Sequence, residues 1–570
     1  MYTLKAPAFL RPSSRPSSPS PVPPHQDSIT PPERVSRASV LSFSSFKRTA
    51  SPLARPASST SLAVATPLVQ DGSYMELLNL KLSEAVSKAL SQPAGPGVPS
   101  ELLNGRRPIP SGRGRALAEL IVSETKAVRE NPYLYRAVLR TLHRPLSVLV
   151  NNLSNNLMPL LSSNTFLNPP VPSPQFPNPN PTQLHALGLA TFAGELLEMY
   201  NEVQLCIEGD MRADGLRVVR DSLVSIVKRV VEPLVTGIKN DLVPHIDALE
   251  NPNTAPLPTS GTNGKPVAAV KVATPHLSIL YLQGVMPIYA RALSRFITST
   301  TAEATLASLL INLVWRGLVA LSNRPAPLVS PAASPVMPSA ALKKDGKTPP
   351  TTPPASKFAL RLPPSRPPSP PAAAVPKSTP AADARALFDL LSSLPRPNGD
   401  MVNKRLAQEV VDEAFEALGA LPAFLEAVQA HNAYNVKHAM FKSFGGADIM
   451  DTNDLEHDLE LLTADLPTLV ALPVLLRTYF PTPHATGATH PQERSVSSML
   501  GLGETAYRNG CLSGFGRADE CTVAVGQHVL SVLRGELRTA APMEDAAFRE
   551  ATVVLGWLER EVALVAAGDH

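Results

Sequence analysis

Cysteine is nearly missing from this chain: of 570 residues only Cys206, Cys511 and Cys521 carry a thiol, and no two form a CxxC pair. A disulfide framework is therefore excluded as an organising principle. Aromatic residues are also scarce, at 5%, which fits a chain with much of its length outside any packed core. The first twenty residues contain Arg11, Arg15 and repeated Ser-Pro steps where a secretory leader needs a continuous apolar run. An intracellular, reducing location, cytoplasmic or nuclear, is the expectation that follows. A run long and apolar enough to span a bilayer is missing too. The nearest, Thr305 to Leu321, is shorter than the roughly 20 residues a bilayer requires and carries Arg316, which costs about 2.5–3.5 kcal/mol at a membrane centre. It reads as a buried core helix.

Proline, in contrast, is abundant, with 61 residues, about twice an average share of roughly 5%. It concentrates in two segments. Residues 1–72 are Ser, Pro, Ala and Arg without a sustained hydrophobic period, and residues 325–380 have the same character. Neither buries enough apolar surface to offset the entropy of ordering its backbone, so both are expected to be disordered. Both are basic. Residues 1–70 set eight basic side chains against Asp27 and Glu33, and residues 325–380 set seven against Asp345. With +4 overall, the rest of the chain is acidic, and basic arms on an acidic body fold back on it or reach for acidic partners.

Between the arms the pattern is helical. A first block, residues 73–324, opens with Leu77, Leu80, Leu82 and Val86 spaced for one helix face. Apolar runs from Gly112 to Ser163 follow, with interruptions expected at Pro132 and Pro145. A loop near 164–183 contains VPSPQFPNPNPT, a Pro/Asn-rich stretch. Helical signals at 184–207 and 215–249 come next. In the second, Val218, Val219, Leu223, Ile226, Val227, Val230, Val231, Leu234 and Ile238 make a wide stripe that Pro233 should kink or split. A linker near 251–273 precedes a helix for which Thr274 suits the N-cap and Pro275 the first position. Leu306, Leu309, Leu310 and Leu313 give the last buried face of this block.

A second block, residues 381–570, repeats Leu406, Val410, Ala414 and Leu418 every four residues. It then shows a stretch at 453–480 broken by Pro467 and Pro473, and ends in a helix through Phe548, Ala551, Leu555, Leu558 and Val562 that Glu544 and Asp545 introduce. No period-two run is bounded by hairpin turns, and no fixed-length repeat recurs. The fold class expected is all-α, as two irregular helical bundles or one split bundle interrupted by long Pro/Ser-rich segments.

Motifs with chemistry are few. Gly346-Lys347-Thr348 lacks the upstream glycine of a phosphate loop, and Pro349 blocks the helix such a loop needs. Gly510-Cys511-Leu512-Ser513-Gly514 has the wrong spacing for a nucleophile elbow, and Cys511 and Cys521 read as small buried residues. Asp451, Asp454, His457 and Asp458 could gather around a metal, but the EF-hand pattern fails; Asn453 and Glu456 as a capping box explain the acidic cluster better. His484 and His490 lack partners at ligand spacing. Arg106, Arg107, Arg113 and Arg115 lack the interleaved aromatics of a nucleic-acid surface and read as a solvated linker, as Lys228, Arg229 and Lys239 read as a wet helix face. No catalytic, metal or cofactor site is expected.

The arms carry the more specific signals. Arg361-Leu-Pro-Pro364-Ser-Arg-Pro367 has the RxxPxxP form of an SH3 ligand, in which polyproline II presents Pro364 and Pro367 on one ridge and the arginine to an acidic pocket. Ser36, Ser39 and Ser51 follow basic residues as basophilic kinase sites do, and Ser18, Ser51, Thr66, Ser334 and Ser369 are among those that precede proline. Each phosphate, at roughly −1.5 to −2, would cancel or reverse an arm's charge. The function expected from sequence is a non-enzymatic interaction or adaptor protein, with SH3-type and kinase partners. A membrane-peripheral tethering factor is the alternative, and an enzyme with an unfamiliar helical site is a third.

Overall fold

The computed structural model describes residues 67–93, 98–168, 172–202, 214–252, 275–325, 378–398, 402–441, 452–480, 494–539 and 546–568. All of them belong to one compact unit, Thr66–His570. The fold is all-α. Among the described residues there are sixteen α-helices: α1 Pro67–Leu90, α2 Arg113–Ala127, α3 Pro132–Leu161, α4 Asn164–Leu167, α5 Pro181–Glu202, α6 Asp214–Asp247, α7 Leu277–Phe296 and α8 Thr300–Asn323, then α9 Pro380–Ser392, α10 Val402–Phe441, α11 Thr452–Thr463, α12 Thr468–Tyr479, α13 Val496–Met499, α14 Glu504–Cys511, α15 Phe515–Thr539 and α16 Ala546–Gly568. The buried apolar residues of α1 to α16 join in one contiguous core.

Two helices hold that core together. The apolar stripe of α6 packs against α3, α5, α7 and α8. Helix α8 then touches α6 on one side and α9, α10 and α12 on another. Leu306, Leu309, Leu310 and Leu313 are at most 2% exposed, as is Trp315. α8 is thus the apolar segment picked out at Thr305–Leu321. By length and composition it is the one described helix able to cross a membrane, and 67% of its apolar window is buried inside the protein. Arg316 points out of the core to Asp247, at 2.7 Å. Helix α16 packs on α15, α11 and α12 and closes the far end.

Helix periodicity explains where the sequence expectations shift. On α1 the buried residues are Leu78, Leu82, Val86 and Ala89, while Leu77 and Leu80 are 64% and 68% exposed. At about 100° per residue, Leu80 and Leu82 stand on opposite sides, so the face assigned to Leu77 and Leu80 is the wrong one. On α10 a strict four-residue repeat drifts about 40° per step and runs off the core face. Leu406 is 69% exposed and Val410 40%, whereas Val411, Ala414, Phe415, Leu418, Leu421 and Phe424 are buried. Val218 and Phe548 likewise lie outside the buried stripes of α6 and α16.

Proline behaves according to its place in a helix. Pro132 is the first residue of α3, where its missing N–H costs nothing, and Asn131 caps the turn by accepting from the Tyr133 and Leu134 amides. Pro467 forms the N-cap of α12. Pro145, Pro233 and Pro473 instead lie inside α3, α6 and α12, which run on past them. The expected split at Pro233 does not occur, because Val230, Val231, Leu234 and Val235 are buried on both sides of it. Two helix starts also differ from expectation. Helix α7 begins at Leu277 with His276 as its cap, two residues after Pro275, and Thr274 lies outside the described residues. Helix α11 begins at Thr452, so Asn453 is already helical; Glu456 pairs with Arg560 of α16 in place of closing a capping box.

Before α2, Asn104 (φ 52°) and Gly105 (φ 76°) form a two-residue turn closed by Leu103 and Arg106 exchanging both backbone hydrogen bonds, at 3.0 and 2.9 Å. Asn-Gly is the pair that accepts two positive φ angles in succession. Helix α2 then starts at a buried carboxylate. Glu195 of α5, 8% exposed, accepts from the Gly112 amide at 2.6 Å and the Arg115 amide at 3.1 Å. A negative charge there satisfies otherwise orphaned amides and suits the helix dipole. The approach is close: a Cβ on Gly114 would stand 2.5 Å from the Phe192 carbonyl oxygen.

Candidate functional site

The site is assembled from helix ends. Helix α8 finishes at Ser322, Asn323 and Arg324, and α9 begins after Ser378 and Thr379. Thr379 caps α9 by accepting from the Ala382 amide at 3.2 Å. This puts Asp383 in the first turn, where the helix dipole favours a carboxylate. Asp383 is 1% exposed and Arg324 5% exposed, and the two form a buried ion pair. The remaining capacity of the carboxylate is used. Oδ1 accepts from the Ser378 hydroxyl at 2.7 Å and from the His276 amide at 3.3 Å, while Arg324 Nη2 donates to the Ser378 carbonyl at 3.3 Å.

This node extends to a third helix end. His276 Nδ1 accepts from the Ser278 amide at 3.1 Å, capping α7, which leaves Nε2 as the protonated nitrogen facing the Asn251 carbonyl at 3.1 Å. Asn251 follows the 3₁₀ turn Ala248–Glu250 at the end of α6. Arg324 and Ser378 flank the Pro-rich stretch 326–377, and Asn251 and His276 flank 253–274. The residues that flank the two stretches therefore meet around one buried ion pair.

A second set of contacts fastens the C-terminal helices to the same end. Arg477 of α12 donates to the Asn323 carbonyl at 2.6 Å and to the Ser322 carbonyl, capping the C-terminus of α8. Arg508 of α14 holds Glu250 with two hydrogen bonds, 2.7 and 2.6 Å, and its Nε donates to Glu504 at 2.6 Å. Trp315 Nε1 donates to the Leu512 carbonyl at 2.6 Å, and its ring lies 4.7 Å from that of Phe515. Two cavities flank the Arg508–Glu250 bridge. One, of about 310 Å³, runs along α8 past Asn312, Arg316 and Val319; the other, of about 180 Å³, lies between Arg477, Arg494 and Tyr507. Burial opposes ionisation of Glu504, but hydrogen bonds from Ser497 and Arg508 outweigh it and hold its carboxyl below the usual range.

The residues singled out from sequence fall elsewhere. Arg361, Pro364, Pro367, Ser18, Ser36, Ser39, Ser51, Thr66, Ser334 and Ser369 all lie outside the described residues, as do Cys206, Gly346–Thr348, Asp451, His484, His490, Glu544 and Asp545. Asp454, His457 and Asp458 are exposed on α11, and among the described residues no group of three His, Cys, Asp or Glu side chains is placed to share a metal ion. Cys511 and Cys521 are half-buried. Burial and a hydrogen bond with Cys521 push the Cys511 thiol up to about 11, away from the thiolate a nucleophile requires. Of the four clustered arginines, Arg113 donates to the Ala89 carbonyl at 3.2 Å and so ties α2 to the end of α1.

Sequence reasoning missed Arg324, Asp383, His276 and Asn251. The available signal was positional: a charged pair of opposite sign, one member on each side of a Pro-rich insertion, with the acid just inside a capped helix. Comparison of the chain with family models, with curated proteins and with solved structures finds no match.

Proposed function

We propose that this chain is a non-enzymatic interaction protein, an adaptor whose helical body serves as a platform for Pro-rich, phosphorylatable segments. The observation that carries this reading is the buried node of Arg324, Asp383, Ser378 and His276, with the exposed Asn251 hydrogen-bonded at its edge. It joins the residues on either side of 326–377, and those on either side of 253–274, at one end of the core. A body that closes the base of its longest insertions holds its shape whatever binds to them. The segment 326–377 contains the Arg361, Pro364 and Pro367 motif together with Ser334 and Ser369. An SH3-type domain would engage the first, and a proline-directed kinase the serines.

The test is a capture experiment in which the full-length chain is compared with a triple Arg361→Ala, Pro364→Ala, Pro367→Ala variant on an array of purified SH3 domains. At least one domain should bind the wild type and lose about tenfold or more in affinity for the variant. Equal binding to both, or binding to neither, removes the SH3 assignment. Phosphopeptide mapping of protein from cells should find Ser334 or Ser369 modified; unmodified segments would remove the regulatory half of the reading.

A further inference from the structure

The smaller cavity beside the Arg508–Glu250 bridge is built from three elements that each bring an arginine. Arg477 comes from α12, Arg494 from the turn before α13, and Arg508 from α14; Ser495 and Ser497 add hydroxyls. Each guanidinium is held in place by contacts of its own. Arg477 grips the α8 carbonyls, Arg494 pairs with Glu536 at 3.0 Å, and Arg508 is fixed by Glu250 and Glu504. With Glu250 and Glu504 as the acids of the wall, its lining is net positive.

Tyr507 stands in that wall at 4% exposure, and among the described residues its hydroxyl has no hydrogen-bond partner. Burying a phenol in that state is unfavourable, and the group is rarely left so in a well-packed core. As a donor it calls for an acceptor oxygen; Glu250 and Glu504 in the same wall are held by Arg508, and the wall's three arginines have forked donors that match oxyanions best. We propose that this cavity binds a phosphate group, with Tyr507, Arg477 and Arg494 as its donors. The space, about 180 Å³, admits a phosphate and a short attachment but not a nucleotide.

Two sources of that group are chemically equivalent here. One is free inorganic phosphate. The other is a phosphoserine of the chain's own 326–377 segment, whose first residues follow Asn323, itself part of the cavity wall. The tethered source rests on the reading of that segment as phosphorylatable, whereas the cavity does not.

The experiment is thermal unfolding and calorimetric titration of the full chain with inorganic phosphate against chloride at equal ionic strength, for wild type, Tyr507→Phe and Arg494→Gln. Phosphate at about ten times its dissociation constant should raise the wild-type Tm by about 1–3 °C. Tyr507→Phe should melt no lower than wild type without phosphate, since only an unpaired hydroxyl is lost, and should bind phosphate at least about tenfold more weakly. Arg494→Gln should also weaken binding. No response beyond that to chloride, or the same response in both variants as in wild type, would overturn the proposal. Treatment of the wild type with a proline-directed kinase separates the sources. A modified chain that no longer responds to phosphate has filled the cavity with its own phosphoserine, and one that responds as before takes a free oxyanion. A normal phosphate response in a chain whose segments resist every kinase would fail the phosphorylation reading alone and leave the site standing.

Discussion

Replacing Asp383 with alanine should be among the most destabilising single changes available in this protein. The carboxylate is 1% exposed and accepts from three groups: the Arg324 guanidinium, the Ser378 hydroxyl and the His276 amide. Its removal leaves the guanidinium, 5% exposed, as a buried charge without its counter-ion. Removing one partner from such a pair costs about 3–5 kcal/mol, most of it the penalty of the stranded charge rather than the worth of the pair. Adding Arg324→Met to the Asp383→Ala variant removes that charge and fills the space, so about 1–3 kcal/mol should return. Equilibrium urea unfolding reads both steps as shifts in midpoint at unchanged slope. A loss below about 1 kcal/mol for Asp383→Ala, or no recovery on adding Arg324→Met, would refute the view that the node is a desolvated pair on which the segment bases depend.

Three further outcomes follow from the packing. Trp315→Phe keeps an aromatic ring against Phe515 but strands the buried Leu512 carbonyl, which accepts from the indole at 2.6 Å; a loss of about 1–3 kcal/mol in urea unfolding is expected. Gly114→Ala would set a Cβ 2.5 Å from the Phe192 carbonyl oxygen, and backbone cannot yield as a side chain does, so circular dichroism melts should drop by several degrees, about 1–3 kcal/mol. Glu124, through its hydrogen bond with Lys81, and Glu504, where Ser497 and Arg508 outweigh burial, are both held below the ordinary carboxylate range. A depressed folded-state value contributes stability that is complete above the unfolded value, about 4.3, and is lost as pH falls through the folded one. Stability should therefore decline below about pH 4, and Glu504→Gln should flatten that decline; an acid limb unchanged by the substitution would contradict the assignment.

The all-α class was legible because it depends on the abundance of apolar residues at helical spacing, and that survives errors of register. Register itself was less legible. Leu77 and Leu80 carry the same hydrophobic signal as Leu78 and Leu82, and only tertiary packing decides which pair α1 turns inward. The prolines divide in the same way. Pro132 begins a helix as its geometry favours, while Pro233 sits within a helix because flanking burial offsets the lost hydrogen bond. The buried node was out of reach for a different reason. Arg324 and Asp383 are 59 residues apart in sequence, and nothing local distinguishes a buried arginine from a solvated one at the edge of a Pro-rich stretch. Glu195 is a similar case: it caps a helix 80 residues before it, and its own neighbours give no sign of that.

Under the proposed function the helical body folds without the Pro-rich segment, and the segment carries the binding. Excising 326–377 and joining Arg324 side to Ser378 side through a linker of about six Gly and Ser residues tests both halves in one variant. Shortening the closed segment should leave the helical circular dichroism of the body intact and raise its stability by about 1–2 kcal/mol through reduced loop-closure entropy. The same protein should lose the partners that the full chain captures. A variant that unfolds, or one that folds and keeps every partner, would contradict the account.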